Sequence, residues 1–452
     1  MPNQFLEDNF APVTREHTAT RLEVTGHLPD HLDGRYLRNG PNPLAADEDT
    51  YHWFLGDGMV HGVRLRDGRA EWYRNRWIRT PHVAGLLGEA PEAPNTGIGA
   101  NTNVIGHAGR TLALIEGGLP AFELTEELDT VGQCDFDGTL PGGYTAHPKR
   151  DPRTGELHAV SYHFGAGNRV QYSVIGTDGR ARRVLDIEVT GAPMMHDFSL
   201  TENHVVFYDL PVTFDPHQTP AHVDVPDPLT ARTGRGVSSL PYRWNEDYPA
   251  RVGVMPREGG NGDVRWFDVE PCYVFHPLNA YDDGDRVVLD VVRHSRVFDR
   301  ALHGPAEGVP TLDRWTVDLA AGKVLEERLD DHGQEFPRVD ERLVGRAHRY
   351  GYAVAADGES RLTGALHKHD LHKGSLERHT FGPGRVPGEF VFVPSGVDAA
   401  EDDGVLMGFV FDAATQRSDL TLLDAATLET VAAVHLPGRV PHGFHGNWVP
   451  VG

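Results

Sequence analysis

The chain has 452 residues, 39 % of them apolar, which is ample for a core. It carries 66 acidic against 42 basic side chains, a net charge of −24, and this argues against nucleic acid or anionic lipid as an electrostatic partner. Two cysteines, Cys134 and Cys272, exclude a disulfide framework, and no stretch approaches the ~18 apolar residues of a membrane span. The opening MPNQFLEDNF has neither a basic region nor an apolar run and does not read as a signal peptide. These features predict a soluble, cytoplasmic protein with no obligate protein partner in evidence.

Short, β-branched runs dominate the rest. In chain order, strands are predicted at 110–116, 156–164, 204–212, 285–294, 404–413 and 418–424. Asp-Gly or Asn-Gly pairs at 67–68, 137–138, 178–179, 261–262, 357–358 and 403–404 favour φ > 0 and suit tight hairpins. No long stretch has a helical period. Many short strands with regular turns predict a sandwich, a barrel or a propeller. Length favours the propeller, because blades of four strands take ~40–50 residues each and seven of them plus loops fill this chain. No linker or composition break divides it, so residues 1–452 read as one domain. The run ETVAAVHL near 429–436 is placed to close a blade with the first strands. Residues 213–240 are rich in Pro, Asp and Thr, have no strand pattern and read as a lid insertion. The segment HVAGLLGEAPEAP, 82–94, is the best candidate for an apolar rim at a cavity mouth.

Four histidines stand in distinctive strings: His147 in TAHPKRDP, His196 in MMHDFSL, His276 in CYVFHPLN and His445 in GFHGNW. Each string ends or interrupts an apolar run, where a side chain can leave a strand and enter a cavity. Imidazole suits iron, copper, zinc and nickel. The spacing lacks the short, regular intervals of structural zinc sites, and in a chain with 26 histidines four scattered ones can be unrelated. His147 and His276 precede proline, which pushes them towards extended geometry and cannot donate to a ladder; a strand is expected to stop at each. The tract LHKHDLHK, with His367, His369, Asp370 and His372, looks metal-binding, but Lys368, Lys373 and the alternation predict an exposed hairpin. GDG at 56–58 and GPGRVPG at 382–388 lack the Gly-Lys-Ser/Thr ending of a phosphate loop. No Ser-His-Asp pattern or cysteine nucleophile stands out.

The remaining strings occur in a telling order: RYLRNGPNP (35–43), HWFLGDGMVHGV (52–63), ANTNV (100–104), LALIEGG (112–118), GQEFPRVD (333–340), FGPGRVPGEFVFVP (381–394) and VPHGFHGNWVP (440–450). With the histidine strings, this pattern resembles the carotenoid cleavage oxygenase family from about residue 6 to residue 450. The resemblance implies an all-β, seven-bladed propeller with a dome of loops and short helices over one face. It implies one Fe(II) per chain on the axis, held by His147, His196, His276 and His445, with dioxygen as co-substrate; the GFHG string selects His445 over its neighbour His442.

Metal-bound imidazoles commonly donate their second N–H to a carboxylate. The resemblance pairs Glu116 with His196, Glu335 with His276 and Glu389 with His445, and leaves His147 without one. It places the methyl of Thr102 against one of the two remaining iron positions. The reaction implied is cleavage of a C=C bond of a carotenoid or apocarotenoid into two carbonyl products. Ile115, Met194, Phe275 and Phe336 flank these residues and predict an apolar wall for a flat, conjugated substrate.

Stilbene-cleaving members of the family carry a lysine just before the first of these glutamates and a tyrosine upstream. Here Ile115 stands at the lysine position and no tyrosine lies between Tyr73 and Tyr144. The expectation is therefore a polyene rather than a stilbene or phenylpropenoid, although His82 is placed to offer a phenol a hydrogen bond. Any membrane contact should be shallow and transient. A catalytically silent propeller scaffold, or isomerase or hydrolase chemistry at the same centre, are the competing readings. The full set of four histidines and three glutamates weighs against the scaffold.

Overall fold

The computed structural model describes residues 3–90, 99–140, 142–163, 167–215, 240–301, 303–305, 307–358 and 361–451. Its strands form seven antiparallel blades around an axis, as expected. Blade 2 runs outward from Asn103–His107 through Arg110–Leu114 and Ala121–Leu124 to Thr130–Cys134. Blades 3 to 6 start at Lys149–Arg150, Ser199–Leu200, Tyr273–Asp283 and Gln334–Arg338 and follow the same four-strand order. Leading strands of neighbouring blades lie against one another, which makes them the inner wall.

The ring is closed twice. Blade 7 takes its outermost strand, Glu23–Gly26, from the start of the chain, paired with Thr430–His435 so that Val24 faces Val434. Blade 1 takes its innermost strand, Gly446–Pro450, from the other end, paired with Gly34–Pro41. A ring held by both ends joins the first and last blades to each other, so neither is left short of a strand. The run at 429–436 does close a blade with the first strands.

Because each blade is sandwiched between two others, both faces of its middle strands are buried. Gly58–Arg66 and Gly404–Asp412 are buried over nearly their whole lengths, whereas an outer strand such as Lys323–Asp330 alternates between half-buried and exposed. This overturns one expectation. The tract around His367 is not an exposed hairpin but the third strand of blade 6, Leu362–Asp370, with His367, Lys368, His369 and Asp370 all buried. Its charges are matched inside: Lys368 Nζ lies 2.9 Å from Asp402 and over the Tyr350 ring, and Asp370 holds Arg349. Only the following turn, with His372 and Lys373, is exposed.

The turns divide likewise. Asp67 and Gly68, with φ of 49° and 67°, close the hairpin between Gly58–Arg66 and Arg69–Trp77, as their sequence predicts. Asn261-Gly262 instead sits in a 3₁₀ turn, Asn261–Asp263, within a longer connection. The proposed lid at 213–240 falls mostly outside the described residues; its two ends join as a short ladder, Val212–Phe214 with Tyr242–Trp244. Of the rim at 82–94, residues 82–90 are described and begin in the short helix Pro81–Leu86, whose Leu86 is exposed; 91–94 lie outside the described residues. No helix among the described residues is long and apolar enough to cross a membrane.

Candidate metal centre

Each of the seven inner strands brings one residue to the axis. Thr102, His147, His196 and His445 stand just before their strands, where the chain enters the blade. His276 and Glu335 lie within theirs, and Glu389 occupies the break between Arg385–Pro387 and Val391–Pro394. Proline does not end the strand at His276: Tyr273–Asp283 runs through, and the ladder skips between Val274 and Pro277. At His147 the order is reversed, since the strand Lys149–Arg150 begins after Pro148. A second irregularity follows Glu335, where Phe336 has φ of 54°. Such bulges re-aim a side chain out of the ladder, and a bulky residue in the left-handed region is strained. Here they turn His276 and Glu335 towards the axis.

His147, His196, His276 and His445 are all buried, and one nitrogen from each falls within a group whose members lie within 4.8 Å of one another. Three of the rings are gripped from behind. His196 Nδ1 donates to Glu116 at 2.7 Å, His276 Nδ1 to Glu335 at 2.6 Å, and His445 Nδ1 to Glu389 at 3.0 Å. The pairings match those implied by the sequence. Glu116 follows the strand Arg110–Leu114 and is turned inward by Gly117 and Gly118, both at positive φ.

Donation through Nδ1 fixes the tautomer, so each of these rings presents a bare lone pair at Nε2. Nε2 of His196 and Nε2 of His276 then face each other at 3.3 Å with no proton between them. His147 Nε2 is buried with no hydrogen-bond partner. Converging lone pairs and an orphaned buried nitrogen are costly on their own, and a cation between them relieves both. Burial, with the other three histidines and Lys149 close by, pushes His147 well below the usual imidazole range, which keeps it in the neutral, ligating form. Four neutral nitrogen donors suit iron, copper, zinc or nickel, so the residues present fit the group that the sequence implies.

The carboxylates are themselves held. Burial opposes the ionisation of Glu389, but Arg338, 3.3 Å away, and His445 outweigh it and hold it at about 2. For Glu335 burial is likewise outweighed, by His276 and His294, and its pKa is depressed. Among the described residues no glutamate bonds to His147, but it has a charged neighbour that the sequence reading missed. Asp197 Oδ2 lies 3.7 Å from His147 Nδ1 and 2.8 Å from Lys149 Nζ. His294, which donates to Glu335 at 2.8 Å, and Arg338 were also missed. Asp197 directly follows His196 and Arg338 stands in a quoted string, so position was a signal for both; nothing local marks His294.

The centre separates two cavities. On one side a cavity of about 930 Å³ runs down the axis between the inner strands and is edged by Lys149, Arg150 and Arg338. On the other a narrow, mostly apolar cleft reaches Thr102, His196, His276 and His445 between Phe54, Ile115, Phe275, Phe336 and Phe444. Ile115, Phe275 and Phe336 therefore line the cleft. Met194 does not: it is packed in the core of blades 3 to 5, and its carbonyl accepts from the Tyr273 hydroxyl. Thr102 commits its hydroxyl to Asn101 Oδ1 at 2.9 Å, and Asn101 in turn donates to the carbonyls of Phe54 and Gly56. His442 lies on the cleft wall against Phe10, outside the four-histidine group. Tyr162 is a further cleft residue, and its phenol hydrogen-bonds to Glu116. No lysine or arginine lines the cleft among the described residues, and His82 is not part of it.

Comparison with known proteins agrees with this architecture. The family described as "Retinal pigment epithelial membrane protein" matches residues 10–450. A carotenoid cleavage oxygenase of Mycobacterium tuberculosis is 59 % identical over 99 % of this chain and 98 % of its own. Among solved structures, Pseudomonas brassicacearum lignostilbene dioxygenase superposes with a TM-score of 0.86 at 28 % identity, covering 99 % of this chain and 98 % of that one. Cobalt-substituted Synechocystis ACO, an apocarotenoid oxygenase, gives 0.86 at 26 % identity over 97 % of each chain. With the match extending over nearly its whole length, the chain belongs to the carotenoid cleavage oxygenase family.

Proposed function

We propose that this chain is an iron(II)-dependent dioxygenase that splits a C=C bond of an apocarotenoid or carotenoid into two carbonyl products. The observation that carries the proposal is the group of four buried histidine nitrogens within 4.8 Å, opening on an apolar cleft. His147, His196, His276 and His445 would hold the iron, and Glu116, Glu335 and Glu389 orient three of them. When bound, Fe(II) supplies the electrons and the site at which dioxygen is activated for reaction with the alkene.

The chain's own part is placement and exclusion of water. Phe54, Phe275, Phe336 and Phe444 offer ring faces to a flat conjugated chain. Ile115 extends that wall where a cation would be needed to anchor a phenolate. Thr102, with its hydroxyl turned onto Asn101, leaves no strong donor of its own at the centre. The apolar lining keeps water from the reacting double bond. A substrate of this kind resides in membranes, and shallow, transient contact suffices to draw it in.

Lignostilbene cleavage by a structural relative keeps a second reading open, that of a stilbene or phenylpropenoid alkene. The test is anaerobic loading with Fe(II), then exposure to dioxygen and mass spectrometry of aldehydes from a panel of apocarotenoids and hydroxystilbenes. The expected result is paired carbonyl products from apocarotenoids, with stoichiometric oxygen uptake. Conversion without oxygen uptake would point to isomerase or hydrolase chemistry and overturn the proposal.

A further inference from the structure

The apolar cleft beside the four histidines is lined by two residues with a buried polar atom that has no hydrogen-bond partner among the described residues: Trp53, at Nε1, and His294, at Nδ1. For Trp53 the surroundings supply an answer. Its ring is stacked on Phe5 at 5.4 Å, meets Phe10 edge-on at 5.3 Å and lies 4.7 Å from Phe444. An aromatic face is a weak acceptor for an indole N–H. His294 has no such answer. Its aromatic neighbour is Phe275, at 5.1 Å and nearly perpendicular, which offers neither an N–H nor an O–H.

The bond on the other side of the ring settles what the free nitrogen is. His294 ends the strand Arg286–His294 and is 1 % exposed. Its Nε2 lies 2.8 Å from Glu335 Oε1. The pKa of Glu335 is depressed, because His276 and His294 outweigh its burial, and an ionised carboxylate only accepts. His294 therefore spends its N–H on Glu335, and Nδ1 is left with a lone pair. A buried acceptor with nothing to accept from is costly and needs an explanation. His294 lines the cleft together with Phe275 and Glu335, so the unmet nitrogen belongs to a residue that a molecule in the cleft would touch.

We propose that His294 is a specificity-determining residue, whose Nδ1 accepts a hydrogen bond from a hydroxyl group of the substrate. The inference rests on the cleft being the site of alkene cleavage. A hydrocarbon, an ether or a carbonyl oxygen has no proton to give, so the preference is for a substrate that carries an O–H. Alcohol and phenol share that chemistry. No lysine or arginine lines the described cleft to hold a phenolate, and its aromatic rings suit a long conjugated chain, so the expected ligand is a hydroxylated polyene. Glu335 stands between His294 and the ring of His276, which sets the hydroxyl to the side of the reacting double bond. Because Nδ1 is covered, the hydroxyl enters by displacing the Phe275 ring beside it.

The experiment titrates iron-loaded protein under nitrogen, where no turnover occurs, and reads Kd from quenching of tryptophan fluorescence. The probes are an apocarotenal with a ring hydroxyl, its methyl ether, its unsubstituted parent, and a hydroxystilbene with its methyl ether. Wild type should bind the hydroxylated apocarotenal roughly 10-fold more tightly than the ether or the parent. His294→Gln keeps an N–H for Glu335 but has no nitrogen in the place of Nδ1, and should remove that preference. The readout is a ratio between ligands, so a partial loss of iron or stability in the variant does not move it, and the wild-type ratio alone decides if the variant fails to fold. Equal affinity for hydroxyl and ether in both series, a preference that survives in His294→Gln, or no affinity for any probe would overturn the proposal. Preference for the hydroxystilbene over its ether, lost in His294→Gln, with no polyene bound, would uphold the role of His294 and overturn the polyene reading instead.

Discussion

One carboxylate, that of Glu335, is shared by two imidazoles: Oε2 accepts from His276 at 2.6 Å and Oε1 from His294 at 2.8 Å. The backbone N–H of Phe336 reaches Oε2 as well. Both oxygens are thus occupied, and the carboxylate cannot swing away from His276. Replacing it by an amide turns one of its two acceptors into a donor that meets a ring N–H. Glu335→Gln should therefore weaken metal retention by roughly 10–100-fold, and more than Glu116→Gln, whose partner besides His196 is the Tyr162 hydroxyl, which can donate or accept. Glu389→Gln should fall in the same 10–100-fold range. Iron content after a timed chelator challenge checks all three, and wild-type retention throughout would make these glutamates merely structural.

Removal of any one of His147, His196, His276 or His445 by alanine should abolish both bound iron and alkene cleavage. His442→Ala should keep its iron, because that ring lies on the cleft wall and faces Phe10 rather than the four-histidine group. Metal analysis of the five variants decides the matter. An iron-replete, active His445→Ala protein would refute the ligand set.

Asp197 supplies the charge that His147 otherwise lacks. Asp197→Asn should lower iron affinity by roughly 10-fold, the low end for loss of an outer partner. Lys149→Met should not, since it leaves the carboxylate free to turn fully towards His147. The comparison is made on iron-loaded protein in graded chelator, with a thermal melt to confirm that both variants are folded. Equal retention in Asp197→Asn and wild type would show that the 3.7 Å approach has no consequence.

Substrate class rests on Ile115. Apocarotenals should be cleaved with higher kcat/KM than resveratrol-like hydroxystilbenes, because no cation lines the described cleft. Ile115→Lys alone should not create strong stilbene activity, because the rest of the described cleft lining is mostly apolar. Phe54→Ala, which removes an aromatic wall, should raise KM for the polyene more than it lowers kcat. A hydroxystilbene that outperforms every apocarotenoid tested would replace the polyene reading with the stilbene one.

What could be read from the chain, and what could not, follows from how information is distributed along it. His147, His196, His276 and His445 each stand at a strand entry or bulge, and such places carry local signatures: a following proline, a glycine, an aromatic neighbour. Glu116 and Glu389 stand in turn-rich strings for the same reason. His294 has no such mark, because it ends an ordinary strand and matters only through a carboxylate contributed by the next blade. Met194 was assigned to the cleft from proximity to His196, yet the chain from 194 to 198 is irregular rather than a strand, so nearness along it does not put both side chains on one side of the wall. The tract at His367 misled for a related reason. Alternating charge reads as a solvated face when a sheet has one side in water, and a blade stacked on both sides has none.

Ring closure from both ends bears on when the centre comes into being. His147, His196 and His276 are synthesised well before His445, and their blades can begin to stack as they emerge. The donor set is nevertheless incomplete until Gly446–Pro450 docks beside Gly34–Pro41, a pairing between distant parts of the chain. Such long-range pairing is slow to form because it closes a large loop. Capture of a metal by all four histidines would thereby wait until the ring has shut. In a refolding experiment the metal would report the last joint of the propeller rather than its first contacts, and a nascent or partly unfolded chain would expose only fragments of the binding set.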